Sequence, residues 1–183
     1  MKLPLFFKDD SDSMKYEEVI DFYMSWTIRC ADEIYKNEYS KIHSHAKLVL
    51  SRLAFDNPEY LKDKKVSNIK VWKQHKNIDL WVELEIDNDK YALIIEHKMY
   101  SSIRPGQLEK YKEIAIAYYE DKTDYNIIYI FLRPDYEIDE LYGESTKCID
   151  LGYKYLNIEQ LQDTLSNDKT GNDLFDEFWF NWK

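Results

Sequence analysis

IDLWVELEIDNDKYALIIEHK, Ile78 to Lys98, consists of two apolar-rich runs joined by a short polar link. In the first run Leu80, Val82, Leu84 and Ile86 alternate with Asp79, Trp81, Glu83 and Glu85, the period of two that marks a strand with one buried face. The second run, Tyr91 to Ile95, is apolar throughout and reads as a more deeply buried strand. Asn88-Asp89 suits a two-residue hairpin turn, because both side chains tolerate positive φ. That turn pairs Asp87 with Lys90 and sets Trp81 opposite Glu96 and Asp79 opposite Lys98. Leu80, Val82, Leu84 and Ile86 then share a core face with Tyr91, Leu93 and Ile95, while Asp79, Trp81, Glu83 and Glu85 share the other face with Ala92, Ile94, Glu96 and Lys98. Asp79 and Glu96 become diagonal neighbours, their Cβ atoms about 7 Å apart, with Lys98 on the same side. His97 alternates to the opposite face and reads as a packed or capping residue.

Around this hairpin the chain is organised as helices, strands, helix and strand. Val19, Phe22, Tyr23, Trp26 and Cys30 recur at helical spacing from Tyr16 to about Tyr35, with Ser13 before them as a start signal. A second helix spans roughly His43 to Phe55 and stops near Asn57-Pro58. VSNIKVWKQ, from Val66, reads as a further strand. After the hairpin, Pro105-Gly106 opens a helix in which Leu108, Tyr111, Ile114, Ala115 and Tyr118 share a face. YNIIYIFLRP carries a continuous apolar strand from Tyr125 to Leu132. A weaker strand is expected around Lys147 to Leu151, then a helix from about Ile158 to Leu165 and the aromatic tail LFDEFWFNW. This order is α/β, and 183 residues fit one domain. Its parts are N-terminal helices at about 14–56, a core at about 66–155 and C-terminal helices at about 157–183.

Composition narrows the function classes. At 44% hydrophobic and 16% aromatic residues with four glycines and four prolines, the chain is expected to fold. Cys30 and Cys148 match no metal-ligand spacing or disulfide framework and fit reduced thiols in a cytoplasmic protein. MKLPLFF is too short for a signal peptide, and no segment has the length and apolarity of a membrane span. A net charge of −10 argues against nonspecific coating of nucleic acid, yet it is compatible with an acidic site that recruits a divalent metal.

Two carboxylates at the separation expected for Asp79 and Glu96 can share Mg²⁺ or Mn²⁺, leaving positions for water and a phosphate. A neighbouring lysine can orient the nucleophile or offset the charge that builds on phosphorus. Asp79, followed by Glu96-His97-Lys98 at the end of an apolar strand, resembles the PD-(D/E)xK nuclease superfamily, and QLEKY on the next helix (Gln107 to Tyr111) is similar to the element that follows the motif in its RecB-like branch. The likeness spans roughly Ile69 to Leu132, although Ile78 stands where the motif's proline would be. It implies a restriction-endonuclease-like α-β-β-β-α-β core, a mixed central sheet flanked by helices, and a Mg²⁺- or Mn²⁺-dependent nuclease acting on nucleic acid, DNA ahead of RNA. In that reading Asp79 and Glu96 are metal ligands, Lys98 assists the attacking water and Gln107 orients the site. Many members add an acid from the first core helix. Glu38 is the choice here, ahead of Glu33.

Other residues suit supporting roles. Lys73, Lys76, Arg104 and Tyr111 are candidates for contacting nucleic acid. Lys62, Lys64, Lys65 and Lys70 extend the basic stretch, which reads first as a solvated loop and edge. His43 and His45, two residues apart on a helix, point in different directions and make a poor zinc pair. The tail from Phe175 to Trp182 is expected to cap the core, with a homodimer interface as the alternative. The alternative functions are a catalytically inactive member of the fold serving as a binding or assembly module, and a metal-dependent hydrolase of small phosphate compounds.

Overall fold

A computed structural model describes residues 16–99, 101–134, 143–165 and 168–181. The expectations for MKLPLFF, for Ser13 as a helix start and for Trp182 lie outside the described residues. Helix α1 runs Tyr16–Cys30 and α2 runs Ser40–Phe55, with a short 3-10 turn at Glu33–Tyr35 between them. The first helix is therefore shorter than its apolar spacing implied. Asp32 stops the chain in extended backbone and caps that turn, accepting the Ile34 amide at 3.1 Å. Helix α2 ends where Asp56 enters the left-handed region at φ 60, one residue ahead of Asn57-Pro58.

Strands β1 (Val66–His75), β2 (Ile78–Ile86) and β3 (Asp89–His97) form an antiparallel meander, and β4 (Tyr125–Arg133) and β5 (Tyr153–Asn157) add in parallel in the order β1-β2-β3-β4-β5. Helix α3 (Gln107–Tyr119) makes the β3-to-β4 crossover, and α4 (Glu144–Asp150) lies between β4 and β5. The chain closes with α5 (Ile158–Gln162), α6 (Asp173–Asp176) and a final wide turn at Glu177–Asn181.

The β2–β3 register corrects the expected one. Ile86 pairs with Asp89 and Leu80 with Ile95, so the turn is Asp87-Asn88, with φ values of 51 and 82. Both central residues in the left-handed region suit the twist of the flanking strands. The difference is two residues, so no side chain changes face. Continuing the ladder one step sets Asp79 across from Glu96, a direct pair rather than a diagonal one. A second tight turn, Lys76-Asn77 with φ values of 55 and 66, joins β1 to β2.

One sheet face is closed by α1, α2 and the C-terminal segment. Leu80, Val82 and Leu84 pack there with Leu93, Ile95, Met24, Leu50 and Phe178. Phe175, Phe178 and Trp179 are buried in this core, so this part of the tail caps it as expected. On the other face Trp81, Ala92 and Ile94 meet Tyr111, Ala115 and Tyr119 of α3. The strand expected at Lys147–Leu151 is instead helix α4, and the fifth strand follows it. Ile149 is 62% exposed while Cys148 is buried, the spacing of a short helix with one inward residue. Among the described residues no helix is long and apolar enough to cross a membrane. Cys30 and Cys148 are free, and burial pushes their thiols up to about 11 and about 12.

Candidate functional site

At one end of the sheet, where β2 begins and β3 ends, Asp79, Glu96, Lys98 and Gln107 line a polar cleft of about 460 Å³. Glu96 is 2% exposed, held rigid by the apolar run before it. Its Oε1 accepts from Nε2 of Gln107 at 2.6 Å and lies 2.5 Å from the Lys98 ammonium. Among the described residues, Oε2 of Glu96 is buried without a hydrogen-bond partner. Burial pushes this carboxyl up to about 8, the Asp79 charge adds to the rise, and Lys98 opposes it.

The rest of the cleft is braced through main chain and side chain. Oδ1 of Asp79 accepts from Nε2 of Gln74 at 2.9 Å, and Oδ2 accepts the His97 amide at 3.0 Å. Gly106, at φ 73, precedes α3 and lets Gln107 stand in its first turn. Oε1 of Gln107 accepts the Arg104 amide at 3.1 Å, while its Nε2 also donates to the Tyr111 hydroxyl at 3.0 Å. That hydroxyl donates to the Asn77 carbonyl at 2.6 Å, tying α3 to the β1–β2 turn. Tyr111 therefore serves as a buried brace, and its phenol is raised first by burial and then by Glu96.

The expected N-terminal acid is not the one that reaches Asp79. Glu38 is exposed just before α2, bonded to the Tyr39 hydroxyl, and does not line the cleft. Glu33 is engaged by Lys36 at 2.7 Å. Instead α1 supplies Asp21, 5% exposed, with Oδ1 3.2 Å from Nδ1 of His97. The same nitrogen lies 3.5 Å from Oδ2 of Asp79. Asp21, Asp79 and His97 thus offer three ligand atoms within 4.8 Å of one another. His97 does turn away from Glu96, but it packs against two carboxylates. Asp21 lay one residue before Phe22 on a helix read only for its apolar stripe, and nothing in its local sequence marks it.

The cations divide. Lys98, Arg104 and Lys110 line the cleft. Lys76 sits in the β1–β2 turn, 5.3 Å from the centre of the Tyr118 ring. Lys73 pairs with Leu80 in register and lies over Phe22 of α1, on the sheet face opposite the α3 side. Lys64 bonds Asp87 at 3.1 Å, at the far end of β2 from Asp79, and Lys62 bonds Glu59 at 3.0 Å. His43 faces Glu33, whereas Nδ1 of His45 meets the Lys41 carbonyl at 2.8 Å, so the two do not converge. A second hollow of about 180 Å³, lined by Trp26, Cys30, Tyr35 and Ile42, is apolar apart from Arg29 and Asn172 and holds no acid.

A family model described as the PD-(D/E)XK nuclease superfamily matches residues 23–171. No curated protein and no solved structure gives a significant match.

Proposed function

The chain belongs to the PD-(D/E)XK nuclease superfamily and has its restriction-endonuclease-like α/β architecture, and we propose that it is a Mg²⁺- or Mn²⁺-dependent nuclease that hydrolyses phosphodiester bonds, in DNA ahead of RNA. The observation that carries this reading is the convergence of Asp79, Glu96, Lys98 and Gln107 from two paired strands and the following helix in one polar cleft.

The donor set fits a hard divalent cation. Both carboxylates are oxygen donors. Oε2 of the buried Glu96 has no hydrogen-bond partner among the described residues, and burial and Asp79 together oppose its ionisation. Asp79 and Glu96 would hold such a cation, with Asp21 from α1 in reach of Asp79, and it would add to Lys98 the positive charge that two neighbouring carboxylates call for. When bound, it provides Lewis-acid polarisation of the phosphate and lowers the pKa of an attacking water.

The remaining work falls to the chain's own groups. Gln107 fixes Oε1 of Glu96, and Tyr111 fixes Gln107. The Lys98 ammonium, 14% exposed, offsets negative charge that grows on phosphorus during attack. The attacking water loses a proton to solvent as its oxygen bonds to phosphorus, the bond to the leaving sugar oxygen breaks, and that oxygen takes up a proton from solvent. Arg104 and Lys110 offer phosphate contacts at the rim.

The test is cleavage of labelled DNA and RNA by the full chain with Mg²⁺, Mn²⁺ or EDTA. Cleavage should require the metal and vanish in Asp79→Ala and in Lys98→Ala while circular dichroism is unchanged. Cleavage retained in both variants sinks the proposal. Intact folding without Mn²⁺ binding or cleavage would support the binding-module alternative.

A further inference from the structure

The nuclease reading leaves open which form of nucleic acid reaches the site, and the β1–β2 hairpin beside the cleft bears on it. Trp72 lies on the edge strand, pairs with Trp81 in register, and is still 37% exposed. Its ring centre is 6.3 Å from that of His75, which stands edge-on to Trp81 at 5.2 Å and to Tyr118 at 6.3 Å. These rings form an aromatic strip on the α3 face of the sheet, the face that carries Asp79.

Ammonium groups edge the strip. Lys70 is two residues from Trp72 along β1. Lys76 and Lys122 approach the same Tyr118 ring, at 5.3 and 3.9 Å. Among the described residues none of these three lysines is in an ion pair, although Glu120 and Asp121 precede Lys122. The neighbouring Glu83 already accepts from the Tyr119 hydroxyl at 2.9 Å. In a chain of net charge −10, three lysines left to rim an aromatic surface point to an anionic ligand with flat apolar faces. The strip is continuous with the cleft, because Gln74 and Asn77 flank Lys76 in the hairpin tip and line the cleft with Asp79.

We propose that this strip is the approach path for a single-stranded segment of nucleic acid, with an unpaired base stacked on Trp72 and phosphates held by Lys70, Lys76 and Lys122. The proposal rests on the nuclease reading of the site. A duplex keeps the faces of its bases stacked inside, so the cations would serve it but the exposed indole would find no base face to stack on. A single strand uses both, since every unpaired base has a face for an aromatic ring.

The test is fluorescence anisotropy in EDTA, where binding is read without cleavage, using the full chain with a fluorescein-labelled oligothymidylate and a blunt duplex of the same length. The oligothymidylate should bind roughly tenfold more tightly than the duplex. Trp72→Ala should weaken oligothymidylate binding by about 5- to 100-fold and leave duplex binding unchanged, and Trp72→Phe, which keeps a stacking ring, should restore most of the affinity. Equal affinity for the two probes, unchanged binding in Trp72→Ala, or no binding of either probe overturns the proposal. Metal-dependent cleavage of duplex that Lys98→Ala abolishes would leave the nuclease reading standing while this inference fails.

Discussion

The main-chain amide of His97 donates to Oδ2 of Asp79 at 3.0 Å, so the strand that carries Glu96 and leads into Lys98 also grips the carboxylate on its neighbour. The two acids of the candidate site are thereby held by the pairing of β2 with β3 and do not depend on a mobile loop. Four expectations follow from that arrangement and from the contacts around it.

Glu96 gives the metal-free protein a pH dependence of definite sign. Its carboxyl, raised from an ordinary 4.5 to about 8 in the folded chain, holds a proton that the unfolded chain loses first. Its stability contribution is therefore fully present below about pH 4.5 and is lost progressively as pH rises to about 8. Melting midpoints in EDTA should decline over that range, and Glu96→Gln should flatten the decline. An unchanged slope in the variant would count against the elevated pKa.

Metal binding should reverse this trend. A cation displaces the Glu96 proton, so the rise in melting temperature on adding Mn²⁺ should grow between about pH 6 and about pH 8. Asp79→Asn removes the like charge beside Glu96, so the Glu96 titration should fall toward its ordinary range while Mn²⁺ affinity drops, both readable by calorimetry across pH. A Glu96 titration unmoved in Asp79→Asn would show that burial alone sets it.

Asp21 and Glu38 can be told apart directly. Asp21→Ala, which takes a carboxylate away from His97 and Asp79, should cost roughly 10- to 100-fold in Mn²⁺ affinity. Glu38→Ala, at an exposed position outside the cleft, should leave it within about twofold. The reverse ordering, measured by isothermal calorimetry, would make Glu38 the N-terminal acid of the site.

Arg133 is fully buried at the end of β4, with Nε 2.8 Å from Oε2 of Glu144 and a hydrogen bond to the Ser101 carbonyl at 2.7 Å. Glu144 in turn accepts the Ile103 amide at 3.1 Å. These contacts pin Ser101 and Ile103 ahead of α3. Glu144→Ala takes a carboxylate from the fully buried Arg133 and should destabilise the fold by about 3–5 kcal/mol in urea denaturation. A loss below about 1 kcal/mol would mean the charge finds water instead.

The amino-acid sequence by itself determined the alternation of β2, the buried run of β3, the amphipathic crossover helix and the strand after it, because period and apolarity are local properties of the chain. Those signals placed Asp79, Glu96 and Lys98 on one face, and QLEKY put Gln107 on the helix that follows. Only the tertiary structure decided the rest. The hairpin register depended on which pair of Asp87, Asn88 and Asp89 took the left-handed conformation, and composition does not distinguish between neighbouring candidates. Glu144–Asp150 became a helix although its residues allow an alternating reading. Asp21 joined Asp79 because α1 packs across the sheet end from 58 positions earlier in the chain, and such long-range pairing leaves no periodic trace. The stretch Ile78 to Lys98 could be read as a pair of strands bearing acids, but how closely those acids meet is a matter of register and packing.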